Sequence, residues 1–394
     1  MKKFILLLLT LITLSVSAQE SCTNFFPVAS PDGNYIYFSS NHTDGVYHLY
    51  RSNVDGLNIV RVTNSDLVEL YARLSPDGTK LVFQAGSYGA AAEIYIVDTD
   101  GSNLTRLTDN TVYDGMPGFS PDGTKIVFDA WDDSNFPEIF IMDVDGNNRV
   151  QLTNKTGAYW QSSPLFNPSG TRIYFLEGFN ADNHIVSMNP EGSDWIDITS
   201  PNEFGYTESY LNFNPDGSKL VFTTTEWNGY NGPFDVVTCN ADGSEWERLT
   251  FSTDGEGSSY SACFSADGSK LFFGNDKLTE QFMFDIYVMD SDGSNKNRLI
   301  SCNNLGVDLN ETNQLFTCYP NPLKTNGFIK TGHIDNPRDV SFLLFDLTGK
   351  SVSVDYSITS EGISIKRGGL PPGVYPFAVK IKSLESYTGK IVIE

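Results

Sequence analysis

A short motif that ends in glycine returns six times along most of the chain, and each copy precedes the same order of short apolar segments and turns. The copies read SPDG, SPDG, SPDG, NPSG, NPDG and SADG and begin at Ser30, Ser75, Ser120, Asn167, Asn214 and Ser265. A second turn glycine follows in each repeat, at Gly56, Gly101, Gly146, Gly192, Gly243 and Gly293. The period of 45–51 residues, with four short strands and two tight turns per unit, is typical of a β-propeller blade.

The second repeat illustrates the predicted unit. Its four strands are predicted at Tyr71–Ser75, Lys80–Gln84, Ile94–Asp98 and Leu104–Thr108. Asp-Gly pairs suit the hairpin turns between them, because glycine adopts positive φ freely and the Asp side chain bonds its own backbone. Runs of Val, Ile, Phe and Tyr indicate strands covered on both faces by neighbouring sheets. The sequence therefore predicts an all-β fold: a six-bladed β-propeller followed by a small immunoglobulin-like β-sandwich.

The two ends of the chain differ from the repeats. Met1-Lys2-Lys3, an apolar run and Ser17-Ala18 predict a signal peptide over residues 1–18, cleaved after Ala18. Short alternating segments with Gly and Pro turns predict a second β domain near the C-terminus. The predicted division is signal peptide 1–18, propeller 19–302, linker 303–318 and C-terminal domain 319–394. Because no other stretch is long and apolar enough to span a bilayer, we expect no membrane span.

The repeats resemble the TolB-like, WD-type propeller family. The resemblance depends on S-P-D-G with its following strand, on the phrase I-Y-x-x-D-x-D-G-S at Ile94–Ser102 and Ile286–Ser294, and on the closing R-L-T. It covers about residues 23–301 and implies the fold rather than a particular function. The predicted propeller begins directly after the signal peptide, whereas TolB itself has a further domain there, so a TolB role is not implied.

The tail resembles the C-terminal sorting domain of type IX secretion cargo in Bacteroidetes. The matching motifs are Tyr319-Pro320-Asn321-Pro322, Leu347-Thr348-Gly349-Lys350, Leu370–Tyr375 and Gly389–Glu394. Pro376 departs from the apolar residue that the family prefers after Val-Tyr. The resemblance implies export to the outer-membrane surface or the medium, with the secretion machinery as the partner of residues 319–394. An ordinary immunoglobulin-like accessory domain is the alternative.

Cysteine positions indicate how the ring closes. The first predicted blade starts with its innermost strand and the sixth ends with its outermost, so no strand remains to close the ring by exchange. Cys22 and Cys302 both fall in the connection that is missing between blades six and one. We therefore expect a Cys22–Cys302 disulfide, as suits an exported protein; Cys302–Cys318 is the competing pair.

Topology places all variable loops and all connections between blades on one side of the ring, here called the upper face, and the regular glycine turns on the other, the lower face. One position at the upper end of each innermost strand is expected at the mouth of the channel: Asn24, Glu69, Asp114, Gln161, Glu208 and Ser259. Crowded carboxylates raise one another's pKa or recruit cations. These residues therefore predict a site for a cationic group, Ca²⁺ or a polar ligand; a hydrated channel is the alternative.

Aromatic residues also gather in the predicted upper loops. The candidate ligand-binding residues among them are Tyr113, Trp131, Trp160 and Trp227. Flat aromatic faces beside Asn, Asp and Gly suit carbohydrate or peptide binding. The alternative is that the rings fill gaps between loops and blades.

Charge and motifs exclude several functions. The formal net charge of −23 disfavours nucleic acids and anionic membrane surfaces, because like charges repel. The sequence has no G-x-S-x-G elbow, phosphate loop or dinucleotide motif, and its four His residues are scattered. We predict a monomeric, non-catalytic binding protein for a glycan or protein ligand, without cofactor or metal. The alternatives are a polysaccharide lyase or glycosidase that uses the channel-mouth carboxylates, and an envelope scaffold without a small ligand.

Overall fold

The computed structural model describes most of the chain, in the ranges 22–87, 92–131, 136–154, 159–179, 182–199, 208–225, 233–252, 257–276, 284–301, 317–319, 324–330, 340–345, 351–359, 362–381 and 386–393. The chain divides into two compact units, Met1–Val307 and Asp308–Glu394. The described residues contain strands and turns and no α-helix, so the all-β prediction is confirmed. The predicted signal peptide, Cys302 and Trp227 lie outside the described residues.

Six four-stranded antiparallel sheets make up the described part of the first unit, and the strands of each sheet follow in sequence order. Sheets 1 and 2 contain Asn24–Ala29 (β1), Tyr35–Ser40 (β2), His48–Asn53 (β3) and Val60–Arg61 (β4), then Val68–Leu74 (β5), Lys80–Gly86 (β6), Glu93–Asp98 (β7) and Thr105–Arg106 (β8). Sheets 3 and 4 contain Asp114–Phe119 (β9), Lys125–Trp131 (β10), Pro137–Asp143 (β11) and Val150–Gln151 (β12), then Tyr159–Phe166 (β13), Ile173–Phe179 (β14), Asp182–Met188 (β15) and Ile196–Asp197 (β16). Sheets 5 and 6 contain Glu208–Phe213 (β17), Lys219–Thr224 (β18), Asp235–Asn240 (β19) and Glu247–Arg248 (β20), then Ser259–Phe264 (β21), Lys270–Asn275 (β22), Asp285–Asp290 (β23) and Asn297–Ile300 (β24).

The sixth sheet packs against the first, so the sheets form a closed ring. The same hydrogen bond links consecutive sheets at the upper face. The amide of Glu69 donates to the carbonyl of Tyr47 at 2.8 Å, and the amide of Asn24 donates to the carbonyl of Phe284 at 2.8 Å. Because the second bond joins sheet 1 to sheet 6 with the geometry found between sheets 1 and 2, the ring closes without a distinct latch at this point.

Apolar layers between the sheets hold the ring together. Each second strand contributes one Phe at an equivalent position, and all six are fully buried: Phe38, Phe83, Phe128, Phe175, Phe222 and Phe273. Each adds about 1.5–3 kcal/mol of hydrophobic stabilisation relative to an exposed side chain. Burial on both faces of the sheets explains why the strands have continuous apolar runs rather than strict alternation.

The second glycine turn of each repeat is fixed by contact with the preceding sheet. Gly101 has a φ of +88°, and a Cβ atom there would lie 2.2 Å from the carbonyl oxygen of Val62. A side chain at this position would therefore be strained in its backbone and would also separate the two sheets. The glycine in the repeat thus serves packing between neighbouring sheets as well as the turn itself.

Two further four-stranded sheets form the second unit. One has the order Thr317–Tyr319 (β25), Asn326–Lys330 (β26), Gly362–Lys366 (β30) and Asp355–Thr359 (β29). The other has the order Ser351–Val352 (β28), Val340–Phe345 (β27), Gly373–Ile381 (β31) and Ser386–Ile393 (β32). Side chains from both sheets, such as Ile363 and Phe377, share one core. Pro376 pairs with Lys390 inside β31, so the strand tolerates the proline. The immunoglobulin-like class of this unit stays a prediction.

Candidate functional site

Every innermost strand contains a β-bulge, and one non-glycine residue in each bulge has a left-handed backbone. These residues are Phe26, Tyr71, Met116, Ser163, Tyr210 and Ser261, with φ between +47° and +58°. Such conformations are uncommon outside glycine and cost about 1 kcal/mol or more each. The same position is strained in all six innermost strands, which line the axis of the ring. The fold therefore holds the side chains at this axis in a fixed geometry.

The bulges surround a cavity on the ring axis. Part of this cavity is open to solvent. All six innermost strands contribute to its lining: Phe26, Pro27, Tyr71, Ala72, Arg73, Met116, Pro117, Ser163, Pro164, Tyr210, Asn212 and Ser261. None of these lining residues was predicted from the sequence as a site residue. One sequence pattern could have indicated them: at the bulge position of the repeats, an aromatic residue or a following proline recurs.

Three aromatic rings occupy the centre of the channel. The ring centroids of Phe26 and Tyr71 are 4.2 Å apart, and those of Phe26 and Tyr210 are 5.3 Å apart. Tyr71 and Tyr210 are stacked with an interplanar angle of 17°, and their hydroxyl groups share a hydrogen bond. Burial raises the pKa of Tyr71 to about 12. Tyr71 and Tyr210 therefore stay neutral and link sheets 2 and 5 across the ring.

Arg73 makes a second link between the same two sheets. Its Nη1 donates to Oδ1 of Asn212, and its Nη2 donates to the carbonyl of Leu211 at 3.3 Å. Desolvation lowers the pKa of Arg73 from its usual value, yet a guanidinium remains protonated at neutral pH. A cation that hydrogen-bonds only neutral groups thus lies in the channel.

Glu69 and Glu208, predicted at the channel mouth, lie instead in the junctions between sheets. Glu69 is fully buried and accepts hydrogen bonds from the Thr63 hydroxyl, from Ser65 Oγ at 2.6 Å and from the Leu49 amide at 3.0 Å. Glu208 is 3% exposed, and its Oε2 accepts a 2.8 Å hydrogen bond from Thr199. Because the bulge begins after these positions, it directs the later residues, rather than these, towards the axis.

The junctions follow a common rule in five of the six sheets. A threonine at the end of the sheet donates a hydrogen bond from its hydroxyl to one carboxylate. The same hydroxyl accepts a hydrogen bond from a backbone amide at the start of the third strand. In sheets 2, 3 and 5 the acid begins the third strand of the same sheet, as in the pairs Thr108–Glu93, Thr153–Glu138 and Thr250–Asp235. In sheets 1 and 4 a histidine occupies that position, and the next sheet supplies Glu69 or Glu208. These two carboxylates thus form hydrogen bonds across the junctions between sheets.

Asp114 and Gln161, the other predicted polar residues, are also fully buried. Asp114 bonds Arg149 at 3.1 Å and accepts a hydrogen bond from Asn110 at 2.7 Å. Burial is the main cause that raises its pKa, and the Arg149 charge opposes this. Neither side-chain polar atom of Gln161 has a hydrogen-bond partner. Protein thus encloses the side chains of four of these residues, Glu69, Asp114, Gln161 and Glu208, and their role in ligand binding stays a prediction.

Asp129 is an acid that the sequence analysis did not identify. It lies in β10, is 2% exposed, and its Oδ2 accepts a 3.1 Å hydrogen bond from the amide of Ser163, a bulge residue of the next sheet. Its Oδ1 has no partner. Burial raises the pKa of Asp129 to about 7. In sheet 2 the amide of Gln84 occupies the corresponding place, because its Oε1 accepts from the Met116 amide at 3.2 Å.

Two of the predicted upper-face aromatic residues pack against the ring. Tyr113 donates its hydroxyl hydrogen to Gln84 Oε1 at 2.8 Å, and its ring lies where a Cβ atom on Gly115 would be. Burial raises the pKa of Tyr113. Trp160 lies against Gly178 in the same manner. These two rings support the alternative that aromatic residues fill gaps between loops and blades.

Trp131 is different, because 44% of it is exposed at the upper end of β10. Tyr159, which begins β13 in the next sheet, is 40% exposed. Across the ring, five half-buried or buried rings are in consecutive contact: Tyr47–Phe25 at 6.0 Å, Phe25–Phe284 at 4.5 Å, Phe284–Tyr260 at 4.9 Å and Tyr260–Phe234 at 4.9 Å. This set, the aromatic arc, spans sheets 1, 6 and 5. Its members lie at the starts of strands or just before them.

Cys22 is disulfide-bonded, whereas Cys239 and Cys263 are free and buried. Burial raises the pKa of each free thiol to about 12, which makes both unreactive at neutral pH. Cys22 packs in one apolar cluster with Ile300, two residues before Cys302 in the sequence. The proposed Cys22–Cys302 pairing stays a prediction, because Cys302 lies outside the described residues.

Over the described ranges, no group of three or more His, Cys, Asp or Glu side chains is arranged to hold a metal ion. The same ranges include no helix of the length and apolar character needed to cross a membrane.

Residues 72–203 match the family model of the TolB beta propeller domain, and residues 317–394 match that of the secretion system C-terminal sorting domain. No curated protein shows significant sequence similarity to the chain. Among solved structures, a putative TolB from Agrobacterium tumefaciens is 25% identical with a TM-score of 0.50, over 58% of this chain and 80% of that one. TolB from Acinetobacter baumannii is 19% identical with a TM-score of 0.54, over 70% of this chain and 62% of that one.

An oligogalacturonate lyase in complex with manganese is 14% identical with a TM-score of 0.50, over 88% of this chain and 90% of that one. At this identity the likeness concerns the fold alone. The all-β ring, with its TolB-like repeats, is therefore similar in fold to proteins whose names describe different activities.

Proposed function

Because the chain contains a TolB-like propeller and a type IX secretion C-terminal sorting domain, and is thus exported to the cell surface or beyond, we propose that it is a non-catalytic glycan-binding protein. The upper face of the propeller holds the ligand, and the sorting domain engages the secretion machinery. A protein ligand, a polysaccharide-acting enzyme and an envelope scaffold are the alternatives.

The exposure of Trp131 is the main support for this proposal. Trp131 is 44% exposed, and a ligand that covers it would add the hydrophobic stabilisation that comes with removing apolar surface from water. Tyr159 in the next sheet is 40% exposed. Flat apolar rings with polar edges stack on the C–H faces of sugar rings, while neighbouring polar groups bond the hydroxyls.

The aromatic arc supports the same function on the other side of the channel. Tyr260 lies beside two polar groups: its hydroxyl is hydrogen-bonded to Ser258, and the charge of Asp276 adds to burial, the main cause that raises the pKa of Tyr260. The acidic protein, with its net charge of −23, repels polyanions. The ligand class that fits these features is therefore a neutral polysaccharide rather than a uronate-rich or sulfated one.

The placement of the carboxylates argues against the enzyme alternative. General acids and bases must reach the substrate, but Glu69, Asp114 and Glu208 are 0–3% exposed and are hydrogen-bonded to protein groups. A lyase or glycosidase mechanism through these three residues would first have to break the junctions between sheets.

Affinity electrophoresis of the full-length mature chain in gels that contain neutral polysaccharides tests the proposal. We expect retardation by at least one polysaccharide, and Trp131→Ala to weaken it at least about tenfold, as for loss of an aromatic anchor. Leu104→Ala is the matched control, because Leu104 is a large apolar residue with similar exposure, 42%, beside a lower-face turn.

Three outcomes would contradict the proposal. If Trp131→Ala leaves the retardation unchanged, the polysaccharide does not bind at the proposed upper-face site. Capture of a surface protein, lost in Trp131→Ala and without any polysaccharide binding, would favour the protein ligand. Release of reducing ends by the wild-type chain, abolished in Asp114→Asn, would favour the enzyme.

We also propose that residues 1–18 are a signal peptide, 19–302 the propeller, 303–318 a linker and 319–394 the sorting domain, and that the mature protein is a monomer. Intact-mass analysis of the exported protein should give an N-terminus at Gln19. Light scattering should give the mass of one chain, and a dimer mass would contradict the monomer.

A further inference from the structure

The axial cavity contains a positive charge for which the described residues supply no counter-ion. Arg61, Arg106, Arg149, Arg172, Arg248 and Arg298 each lie within 4.0 Å of a carboxylate. Arg73 lines the cavity, and no carboxylate of the described residues lies within that distance of its guanidinium. An unpaired charge in a desolvated site costs several kcal/mol, so its retention there needs a reason.

Arg73 has donors to spare. A guanidinium has five N–H groups, and the protein uses one on Asn212 and one on the carbonyl of Leu211. The two contacts fix the guanidinium across the channel, so little conformational entropy would be lost when a ligand binds. The remaining N–H groups can bind a planar oxyanion such as a carboxylate.

A second buried polar group faces the same cavity. Ser261 lines it and is 4% exposed, and its hydroxyl has no hydrogen-bond partner within the described part of the chain. A buried hydroxyl without a partner is destabilising by about 1–3 kcal/mol. A ligand oxygen in the cavity would satisfy both this hydroxyl and Arg73.

The rest of the lining determines what carries the carboxylate. The rings of Phe26, Tyr71 and Tyr210 contact one another over the cavity, and Met116 and Pro117 add apolar surface. We propose that the axial cavity is a binding site for a small organic carboxylate, held by Arg73 and Ser261, with its apolar part against the three rings. The site is separate from the upper-face site and does not depend on the proposed function.

Titration calorimetry of the full mature chain with benzoate tests this site, with benzamide as the neutral probe of the same shape. We expect saturable binding of benzoate and at least about tenfold weaker binding of benzamide, because a charge-assisted hydrogen bond would be lost. Glucuronate is the third probe: tighter binding than benzoate would identify a sugar acid as the source of the carboxylate, and weaker binding an apolar acid.

Variants then assign the contacts. Arg73→Met should weaken benzoate binding about 10–100-fold and Ser261→Ala about 3–10-fold. Arg298→Met is the matched control, because Arg298 is 55% exposed and bonds Asp285; its affinity should equal that of the wild type. If Arg73→Met does not fold, Ser261→Ala and the comparison of benzoate with benzamide still test the proposed carboxylate site. Absence of binding by both acids, equal binding of benzamide, or affinity unchanged in Ser261→Ala would overturn the proposal.

Discussion

The hydroxyl of Thr63 is hydrogen-bonded to the carboxylate of Glu69 across the junction between the first two sheets. The same carboxylate accepts the Leu49 amide at 3.0 Å, so one buried acid ties the end of sheet 1 to the start of sheet 2. A residue that the sequence offered as a ligand-binding group is thus part of the ring itself.

Replacement of this acid should therefore destabilise the propeller. In Glu69→Gln, an amide nitrogen or a weaker acceptor would face Thr63 and Leu49, and we expect a loss of about 1–3 kcal/mol in the free energy of unfolding. Denaturant unfolding of the full chain measures it. Glu191→Gln changes the same group at an exposed turn position and should change stability by less than about 0.5 kcal/mol. Equal stability of the two variants would show that the junction bond contributes nothing.

Stability should also fall as pH rises towards 7, because of Asp129. Burial raises its folded pKa to about 7, above the usual value of about 3.9 for an unfolded chain. Between these pH values the folded state binds the extra proton, so the free energy of unfolding decreases with rising pH and levels off above about pH 7. The effect is at most about 4 kcal/mol.

Asp129→Asn removes this titration and should flatten the pH dependence of stability between about pH 4 and 7. Unfolding free energies at pH 5 and pH 8 measure the difference. The control is Asp32→Asn, since hydrogen bonds from Ser30 and Asn34 hold the pKa of Asp32 below its usual value, outside this window. A slope that persists in Asp129→Asn would assign the pH dependence to other groups.

Gly115 is required by the position of Tyr113. A Cβ atom on Gly115 would lie 2.1 Å from the Tyr113 hydroxyl and 2.6 Å from Gln84 Oε1. Gly115→Ala should therefore break the Tyr113–Gln84 hydrogen bond and lower the melting temperature, with a destabilisation of about 1–3 kcal/mol. Thermal unfolding provides the measurement.

Gly274→Ala is the control for this substitution, because its Cβ atom would meet neighbours only at 3.6 Å or more. It lies in β22 and should cost little. If both variants melt alike, the close approach of Tyr113 is not what constrains position 115.

The disulfide of Cys22 should close the ring through Cys302. Peptide mapping of the non-reduced exported protein should yield a Cys22–Cys302 pair, and Cys22→Ser should lower the free energy of unfolding by about 3–5 kcal/mol, because the bond closes a very long loop. Cys239→Ser is the control, since that thiol is free. A Cys302–Cys318 peptide in the wild-type digest would contradict the pairing.

The repeat alone predicted the all-β character of the chain and the four strands of each repeat unit. Turns at glycines such as Gly33 and Gly101 depend on local backbone preferences, so the glycines can be recognised in the sequence. Strands such as Lys80–Gly86 are buried on both sheet faces, so they can be recognised by their apolar runs. The sorting-domain motifs were equally local. Trp131, which the sequence placed in an upper loop, is the last residue of β10 and is exposed at the upper face, as the topology of the repeat predicted.

The direction of individual side chains was decided by the tertiary structure. Glu69 and Tyr71 are two residues apart, and a regular strand would point both side chains to one face. A bulge with φ of +56° at Tyr71 turns that residue to the channel and leaves Glu69 in the junction. Arg73 and Asn212, 139 residues apart in the sequence, meet only because the ring places sheets 2 and 5 opposite each other. Sequence periodicity records which residues are buried in a sheet, whereas bulges and ring closure determine what those residues contact.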